Sequence, residues 1–285
     1  MFKVGMIGLG AMGISMARNL AKANFLNVIY NRNSEKARKL AQELNVIHTL
    51  SIEELARQVN VICICVSNDE DVLDVIEKIS HSALRNTIVI DMSTVSSHTA
   101  RQSAAILACK DVDFLDAPVS GGVEGAKNGT LAMMIGGNEI VLEKVRPVLG
   151  AMATNIIHIG QTGSGQATKA VNQIMAAGIN QAVTEALAFA KAQNLPLEKI
   201  INVISNGAAS NWFLQHRGVS MTQGDYLAGF KLALHHKDLK ICEQMANTCN
   251  INLPLTTQTR QDYEKLIADG FGNCDISALY HLKVK

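Results

Sequence analysis

The sequence lacks long apolar runs, an excess of either charge, and any cysteine or histidine cluster that could hold a metal. No uninterrupted apolar segment approaches the ~18 residues of a membrane-spanning helix, so we expect no membrane association. The 26 basic and 25 acidic side chains leave a formal charge of +1. Without a basic field, we expect no binding to nucleic acid or to an anionic membrane.

The six cysteines follow neither the spacing of a disulfide framework nor that of a metal site. Cys63 and Cys65 lie in the apolar run 61–66, for which a buried strand is the better explanation. Because the chain opens directly on a glycine motif, we expect no signal or transit peptide. We therefore expect a cytoplasmic protein that holds no metal.

What the chain does contain is an apolar run from residue 3, a glycine motif, and then helical spacing to about residue 23. The motif is Gly8-Leu9-Gly10-Ala11-Met12-Gly13, and its position between strand and helix is that of a dinucleotide-binding turn. Gly8 allows the tight turn, Gly10 lets backbone N–H groups approach a pyrophosphate, and Gly13 lets the helix pack on the strand. All six residues are candidate cofactor contacts at a helix N-terminus. An ordinary glycine turn is the alternative.

The second predicted strand, from about residue 27, ends in Asn31-Arg32-Asn33 and is followed by Ser34, Glu35 and Lys36. NAD sites tend to place an acidic residue at this strand end, whereas NADP sites often use arginine. Arg32 and Lys36 supply two cations for a 2′-phosphate, although Glu35 weakens the field and a solvated turn is the alternative. We expect NADP, with NAD possible, and Asn31, Arg32, Asn33 and Lys36 as contacts.

Predicted strands at Val61–Val66 and Thr87–Met92 alternate with helical segments, a pattern typical of βαβ units and a parallel sheet. Ligands of such sheets lie beyond the carboxyl ends of the strands. Val66, Ser67 and Thr94 are therefore candidate cofactor contacts, with plain loop residues as the alternative.

Farther along, Ser120-Gly121-Gly122 precedes an apolar run at Leu131–Ile135. Its three consecutive backbone N–H groups and one hydroxyl are enough to cradle a carboxylate. A flexible turn is the alternative interpretation.

The composition changes after Ile159, where a glycine-rich loop at 160–165 precedes a helical segment to about Asn194 that is apolar on several faces. At ~1.5 Å per residue this helix would be roughly 40 Å long, enough to connect two domains. Only helices are predicted beyond it. We expect an α/β Rossmann-type N-terminal domain over residues 1–162 and an all-α C-terminal domain over 163–285, joined by this long interdomain helix.

Near the start of this helix, Lys169, Asn172 and Gln173 have the i, i+3, i+4 spacing that places them on one face. A lysine in an apolar segment is unusual, because burying its charge costs several kcal/mol without compensation. A surface lysine at an exposed helix end is the alternative.

The blocks Gly8–Gly13, Asp116–Gly122, Gly163–Gln173 and Lys237-Asp238-Leu239 together resemble the β-hydroxyacid dehydrogenase family over essentially the whole chain. Its members include 3-hydroxyisobutyrate dehydrogenases and tartronate semialdehyde reductases. The first block is shared with many dehydrogenases, but the combination in this order is specific. The resemblance implies an NADP(H)-preferring oxidoreductase that interconverts a small 3-hydroxy acid and its semialdehyde, usually as a homodimer or homotetramer.

The resemblance also implies roles for individual residues. Lys169 matches the catalytic lysine, which protonates the alkoxide during reduction, and Ser120–Gly122 match the loop that holds the substrate carboxylate. Asn172 and Gln173 match a substrate-binding amide pair, although many members have asparagine at the second position. Lys237, Thr94 and Asn31-Arg32 match cofactor contacts.

Two related reactions and one non-enzymatic role are the rivals. Phosphogluconate dehydrogenases carry a glutamate two turns beyond the lysine, where this chain has Ala176, so we do not expect β-decarboxylation. Imine reductases lack the lysine. A non-catalytic NADP-binding module of the same fold has also lost it, so Lys169 counts against both.

Overall fold

The computed structural model describes residues 2–284, which divide into two compact units. The first unit ends at Lys169 and the second begins at Ala170. Within the described residues the first unit contains nine strands: β1 Val4–Ile7, β2 Leu26–Tyr30, β3 Ile47–His48, β4 Val61–Ile64, β5 Ile88–Asp91, β6 Asp113–Asp116, β7 Val119–Ser120, β8 Leu131–Gly137 and β9 Ala153–Gly160.

Helices connect most of these strands and then make up the second unit. In the first unit they are α1 Ala11–Lys22, α2 Ser34–Leu44, α3 Ile52–Ala56, α4 Asp69–Ser80, α5 Ser97–Ala108, α6 Gly122–Asn128 and α7 Glu139–Gly150. Helix α8, Ser164–Ala192, begins in the first unit and continues in the second. The others are α9 Leu197–Ser205, α10 Trp212–Thr222, α11 Leu232–Thr248, α12 Pro254–Ala268 and α13 Leu279–Lys283, with 3₁₀ helices at Phe271–Asn273 and Ile276–Ala278.

The sheet has the strand order β3-β2-β1-β4-β5-β6-β8-β7, with β9 paired to β8. Strands β1 to β6 pair with one another in parallel, whereas β8 is antiparallel to β6 and β7. The order reverses on either side of β1, as in doubly wound dinucleotide-binding sheets, whose ligands lie beyond the carboxyl ends of the strands. The turn after β1 is therefore at the position where such a sheet binds its ligand.

Alternate residues of each central strand pack on opposite faces of the sheet. In β4, Val61 and Cys63 join the cluster formed with α1, α2 and α7, whereas Ile62 and Ile64 join the cluster formed with α3, α4 and α5. Strands covered on both faces require continuous apolar sequence, which explains the run at 61–66. Burial raises the pKa of the Cys63 thiol to about 12, as expected for a core residue.

The second unit is helical, with a core that includes Leu239, Tyr263 and Tyr280. Pro196 is the N-cap of α9 and Pro254 is the first residue of α12, so both prolines stand at helix starts. The predicted fold class is confirmed: a Rossmann-type α/β unit, a 29-residue helix and an all-helical unit.

The structure changes several element boundaries. Strand β4 ends at Ile64 rather than Val66, and α8 begins at Ser164, within the predicted loop. Strand β9 was not predicted, because most of its side chains are partly or fully exposed and its apolar pattern is weak. Along residues 2–284, no helix has the length and apolarity required to cross a membrane.

Candidate active site

The three glycines of the loop after β1 meet different surroundings. Gly8 has φ +92°, and a Cβ there would collide with the carbonyl oxygen of Cys65. A Cβ at Gly13 would collide with the carbonyl oxygen of Gly8. At Gly10, by contrast, an added Cβ finds no described atom within 4 Å beyond its chain neighbours. The fold explains Gly8 and Gly13, whereas Gly10 leaves open space over the loop, as close approach of a dinucleotide requires.

The N-termini of α1 and α6 differ from those of the other helices in this unit. Side chains cap α2, α3, α4, α5 and α7, whereas α1 starts at Gly10 and α6 at Gly121 without a side-chain cap. Uncapped N–H groups and the helix macrodipole both favour an anion. These two helices begin at the loops predicted to bind the pyrophosphate and the substrate carboxylate, so the residues present fit both ligands.

Asn31, at the end of β2, supports the glycine loop. Its Oδ1 accepts a hydrogen bond from the Leu9 N–H at 2.9 Å, and its Nδ2 donates to the Asn33 carbonyl at 3.2 Å. Asn33 in turn caps α2 by accepting from the Lys36 N–H at 3.0 Å. The structure thus gives Asn31 and Asn33 backbone-holding roles and brings Asn31 against the glycine motif.

The guanidinium of Arg32 is 86% exposed and lies 3.4 Å from a carboxylate oxygen of Asp71, in the first turn of α4. Glu35 is engaged elsewhere, since its carboxylate bonds Arg38, which lowers the pKa of Glu35. The Lys36 side chain is exposed. An exposed ion pair of this kind is weak, so Arg32 can turn to a phosphate.

The predicted contacts Val66, Ser67 and Thr94 follow β4 and β5, which are adjacent and parallel. The Val66 N–H donates to Ser93 Oγ at 2.9 Å, which ties the two loops together. Ser67 is exposed and Thr94 is half-buried. All three therefore lie at the carboxyl edge of the sheet, where a dinucleotide would bind.

The Ser120-Gly121-Gly122 segment joins β7 to α6 and is partly to fully exposed. Gly121 has φ +128° and Gly122 has φ +62°, conformations that glycine adopts without strain. Gly121 and Gly122 are both exposed, so the backbone of this loop is accessible to a ligand. Nearby, Asp116 is fully buried and accepts the N–H groups of Gly163 at 2.7 Å and Gln166 at 3.0 Å.

The carboxylate of Asp116 thus caps the start of α8. Burial raises the pKa of Asp116, and the two N–H donors act against that rise. Lys169 is the sixth residue of α8 and is only 8% exposed. The burial of this lysine is the observation that favours the catalytic interpretation over the surface-lysine alternative.

In the second unit, Asn172, Gln173 and Lys237 converge through Asp238. Asn172 Nδ2 donates to Gln173 Oε1 at 2.8 Å, and Gln173 Nε2 donates to Asp238 Oδ2 at 2.5 Å. Lys237 Nζ lies 2.9 Å from Asp238 Oδ1. Gln173 is 1% and Asp238 5% exposed, so this is a buried, charge-assisted network.

The adjacent histidines of α11 have different neighbours. His235 is fully buried and bonds the Tyr263 hydroxyl at 3.1 Å, whereas His236 lies 3.3 Å from Glu264. Across residues 2–284, no group of three or more His, Cys, Asp or Glu side chains could hold a metal ion.

Comparison with known proteins covers the whole chain. The family profile described as the NAD binding domain of 6-phosphogluconate dehydrogenase matches residues 3–160, and the profile described as NAD-binding of NADP-dependent 3-hydroxyisobutyrate dehydrogenase matches residues 163–283. The chain is 36% identical to 2-hydroxy-3-oxopropionate reductase of Escherichia coli K12, with 97% of this chain and 95% of that protein covered. It is 33% identical to 2-(hydroxymethyl)glutarate dehydrogenase of Eubacterium barkeri, over 97% and 93% of the two chains. The structure of Mycobacterium tuberculosis 3-hydroxyisobutyrate dehydrogenase with L-serine is also similar, with a TM-score of 0.91, 32% identity and 99% of each chain covered.

The chain belongs to the β-hydroxyacid dehydrogenase family. This dehydrogenase is an NAD(P)-dependent oxidoreductase acting on a CH–OH group, so the predicted family and enzyme class are confirmed. The non-catalytic module has no support among these relatives. Both family profiles describe nicotinamide-dinucleotide domains, in agreement with the open space over Gly10.

Three buried polar residues of this dehydrogenase received no role from its sequence: Asp116, Gln166 and Asp238. All three lie inside motif blocks, which was the available signal. Each of them forms a hydrogen bond with a partner 47 to 73 residues away in the chain, so its role becomes visible only in the folded protein.

Proposed function

We propose that this enzyme interconverts a small 3-hydroxy acid and its semialdehyde, with NADP(H) as the preferred coenzyme and Lys169 as the proton donor and acceptor. The observation that carries the proposal is the burial of Lys169 in a helix whose start is capped by Asp116. The coenzyme, when bound, supplies or accepts the hydride.

The relatives' names support a substrate class. Several of them name molecules that share the unit HOCH2–CH(R)–COO⁻ or its aldehyde. The R group is methyl in 3-hydroxyisobutyrate, hydroxyl in 2-hydroxy-3-oxopropionate, carboxyethyl in 2-(hydroxymethyl)glutarate and ammonium in L-serine. The carboxylate and the primary alcohol are constant while R varies. We infer that this enzyme also recognises that constant unit.

Each proposed role follows from the chemistry of the residue. The N–H groups at Ser120, Gly121 and Gly122 bind the substrate carboxylate, which holds the reacting carbon in place and contributes catalysis by positioning. The Lys169 ammonium donates its proton to the alkoxide oxygen during reduction and, as a neutral amine, takes the hydroxyl proton during oxidation. Its charge also stabilises the oxyanion as it forms.

The contacts of the amide pair support different roles for its two members. Both ends of the Gln173 amide are engaged, one by Asn172 and one by Asp238. We therefore propose that Asn172 contacts substrate and that Gln173 holds Asn172 in place. The coenzyme contact of Lys237 and a homodimeric or homotetrameric assembly stay predictions, and light scattering tests the second.

For coenzyme choice, Arg32 would bind the 2′-phosphate of NADP, exchanging its exposed contact with Asp71 for a bidentate one. No carboxylate stands among residues 31–34 to take ribose hydroxyls instead. The description of the second family profile as NADP-dependent supports this preference.

A substrate panel tests the proposal. Acids of the form HOCH2–CH(R)–COO⁻, with R as hydrogen, methyl, hydroxyl, ammonium or carboxyethyl, are assayed with NADP⁺ and NAD⁺, and the matching semialdehydes with NADPH and NADH. We expect turnover of at least one acid, and little of its amide, since the amide lacks the negative charge. Efficient oxidation of the amide, or of 2-hydroxy acids in place of 3-hydroxy acids, would contradict the substrate class.

A further inference from the structure

Gln166, the third residue of α8, has a buried side chain with no role in the function described so far. It is 1% exposed, and both ends of its amide are hydrogen-bonded. Nε2 donates to the Ser93 carbonyl at 2.8 Å, and Oε1 accepts from the Val95 N–H at 3.2 Å. The amide therefore binds the backbone on both sides of Thr94, a predicted coenzyme contact.

The backbone of Gln166 is held as well. Its N–H donates to Asp116 Oδ2 at 3.0 Å, at the carboxyl end of β6. Lys169 follows three residues later, about 4.5 Å along the helix axis and about 60° around it. A single residue thus connects the helix that carries the proposed proton donor to the Thr94 segment.

The connection extends to the next strand of the sheet. Ser93, whose carbonyl accepts from Gln166, also accepts the Val66 N–H on its Oγ and donates its own N–H to Asp91 Oδ1 at 3.0 Å. The loops after β4 and β5 and the start of α8 are therefore one buried network. Within this network, both ends of the Gln166 amide are satisfied, which favours a fixed position for the backbone that it binds.

We infer that Gln166 is a positioning residue that holds the coenzyme-binding Thr94 segment in a fixed position relative to Lys169. The inference rests on the proposed function in so far as Lys169 is the proton donor. Removing the amide leaves the Ser93 carbonyl and the Val95 N–H without this partner, so the Thr94 segment shifts. A displacement of about 1 Å between reacting groups can cost on the order of 100-fold in rate.

The test compares Q166L with Q181L. Gln181 is a matched control, since it lies on the same helix, is 3% exposed and donates to Asp262 at 3.0 Å in the second unit. NADPH dissociation constants are measured by calorimetry and kcat per NADPH-binding site by turnover. We expect Q166L to raise the NADPH Kd about 10-fold and lower kcat about 10- to 100-fold. We expect Q181L to lower Tm without either change.

Two further variants separate positioning from simple stabilisation. Q166E keeps the acceptor for Val95 and, when protonated, regains the donor for Ser93, so the ratio of its kcat to that of the wild type should rise as pH falls. In a double-mutant cycle with T94A, the effects on the NADPH Kd should not add, because both changes act on one segment.

Equal behaviour of Q166L and Q181L, or full additivity with T94A, would overturn the positioning role. The NADPH-binding arm needs no hydroxy acid, so it stands even if the substrate class is wrong. Failure of the wild type on the acid panel counts only against the proposed function.

Discussion

Replacing Gly10 with alanine separates what the fold requires from what a bound dinucleotide requires. Gly10 has φ −70° and ψ −165°, which alanine adopts without strain, and its added Cβ meets nothing within 4 Å in the described protein. Alanine restricts the conformations of the unfolded chain, which stabilises the folded protein by about 0.4–1 kcal/mol. It is also a poorer N-cap than glycine by a comparable amount, roughly 1 kcal/mol. Because the two effects offset, Tm should stay within about 4 °C of the wild type.

Coenzyme binding should respond much more strongly. The new methyl group occupies the space in which a pyrophosphate approaches the N-terminus of α1, so at least one charge-assisted hydrogen bond from the loop is lost. Such a bond contributes about 1.5–3 kcal/mol, which corresponds to a Kd about 10- to 100-fold higher. Calorimetric titration with NADPH measures the Kd, and circular dichroism without coenzyme measures Tm.

Two other glycines provide controls. Gly150 also has open space around it and no positive φ, so G150A should leave the NADPH Kd unchanged. Gly8 has φ +92° and no room for a Cβ, so G8A should lower Tm even without coenzyme. A folded G10A protein that binds NADPH as tightly as the wild type would refute the assignment of this loop to the pyrophosphate.

Three further predictions follow from single side chains. K169A should lower kcat at least ~100-fold with little change in the NADPH Kd, and turnover within a few-fold of wild type would exclude Lys169 as proton donor. R32D should reduce kcat/KM for NADPH relative to NADH about 10- to 100-fold. D71N removes the carboxylate 3.4 Å from Arg32 and should favour NADPH further by up to about fivefold. Unchanged ratios in both variants would show that Arg32 has no part in coenzyme choice. Burial raises the pKa of Asp91 to about 7. Between about pH 4 and 7 the folded protein therefore holds a proton that the unfolded chain has released. The free energy of unfolding should fall by at most about 4 kcal/mol as pH rises through that window. D91N should flatten this dependence, measured by hydrogen exchange of β4 and β5, and an equally steep dependence in the variant would contradict the pKa of Asp91.

Much of the fold could be predicted because its signals are local. Glycine at positions 8, 10 and 13 indicates a backbone turn within six residues. The continuous apolar run at 61–66 indicates a strand that is covered on both faces. The apolar faces of α8 predicted a long buried helix in the same way. Strand β9 could not be predicted because its own apolar pattern is weak and it forms by pairing with β8.

Candidate site residues were predictable to the extent that they belong to motifs. Lys169, the Ser120–Gly122 loop and the Arg32 strand end are all visible from neighbouring residues. That Asp71 lies beside Arg32 was not predictable, since the two are 39 residues apart and meet only through the parallel pairing of β2, β1 and β4.

The sequence by itself determined the fold class, most of the central strands and helices, and the family, because glycine turns, helix periodicity and motif spacing are properties of short stretches of chain. Only the tertiary structure decided that Gly10 is free of fold constraints, that Asp116 caps α8, and that Gln166 spans the Thr94 segment. Each of these depends on which groups from distant parts of the chain lie around a residue in the folded protein. A buried amide or carboxylate has no partner until the strands pair and bring one within hydrogen-bond distance.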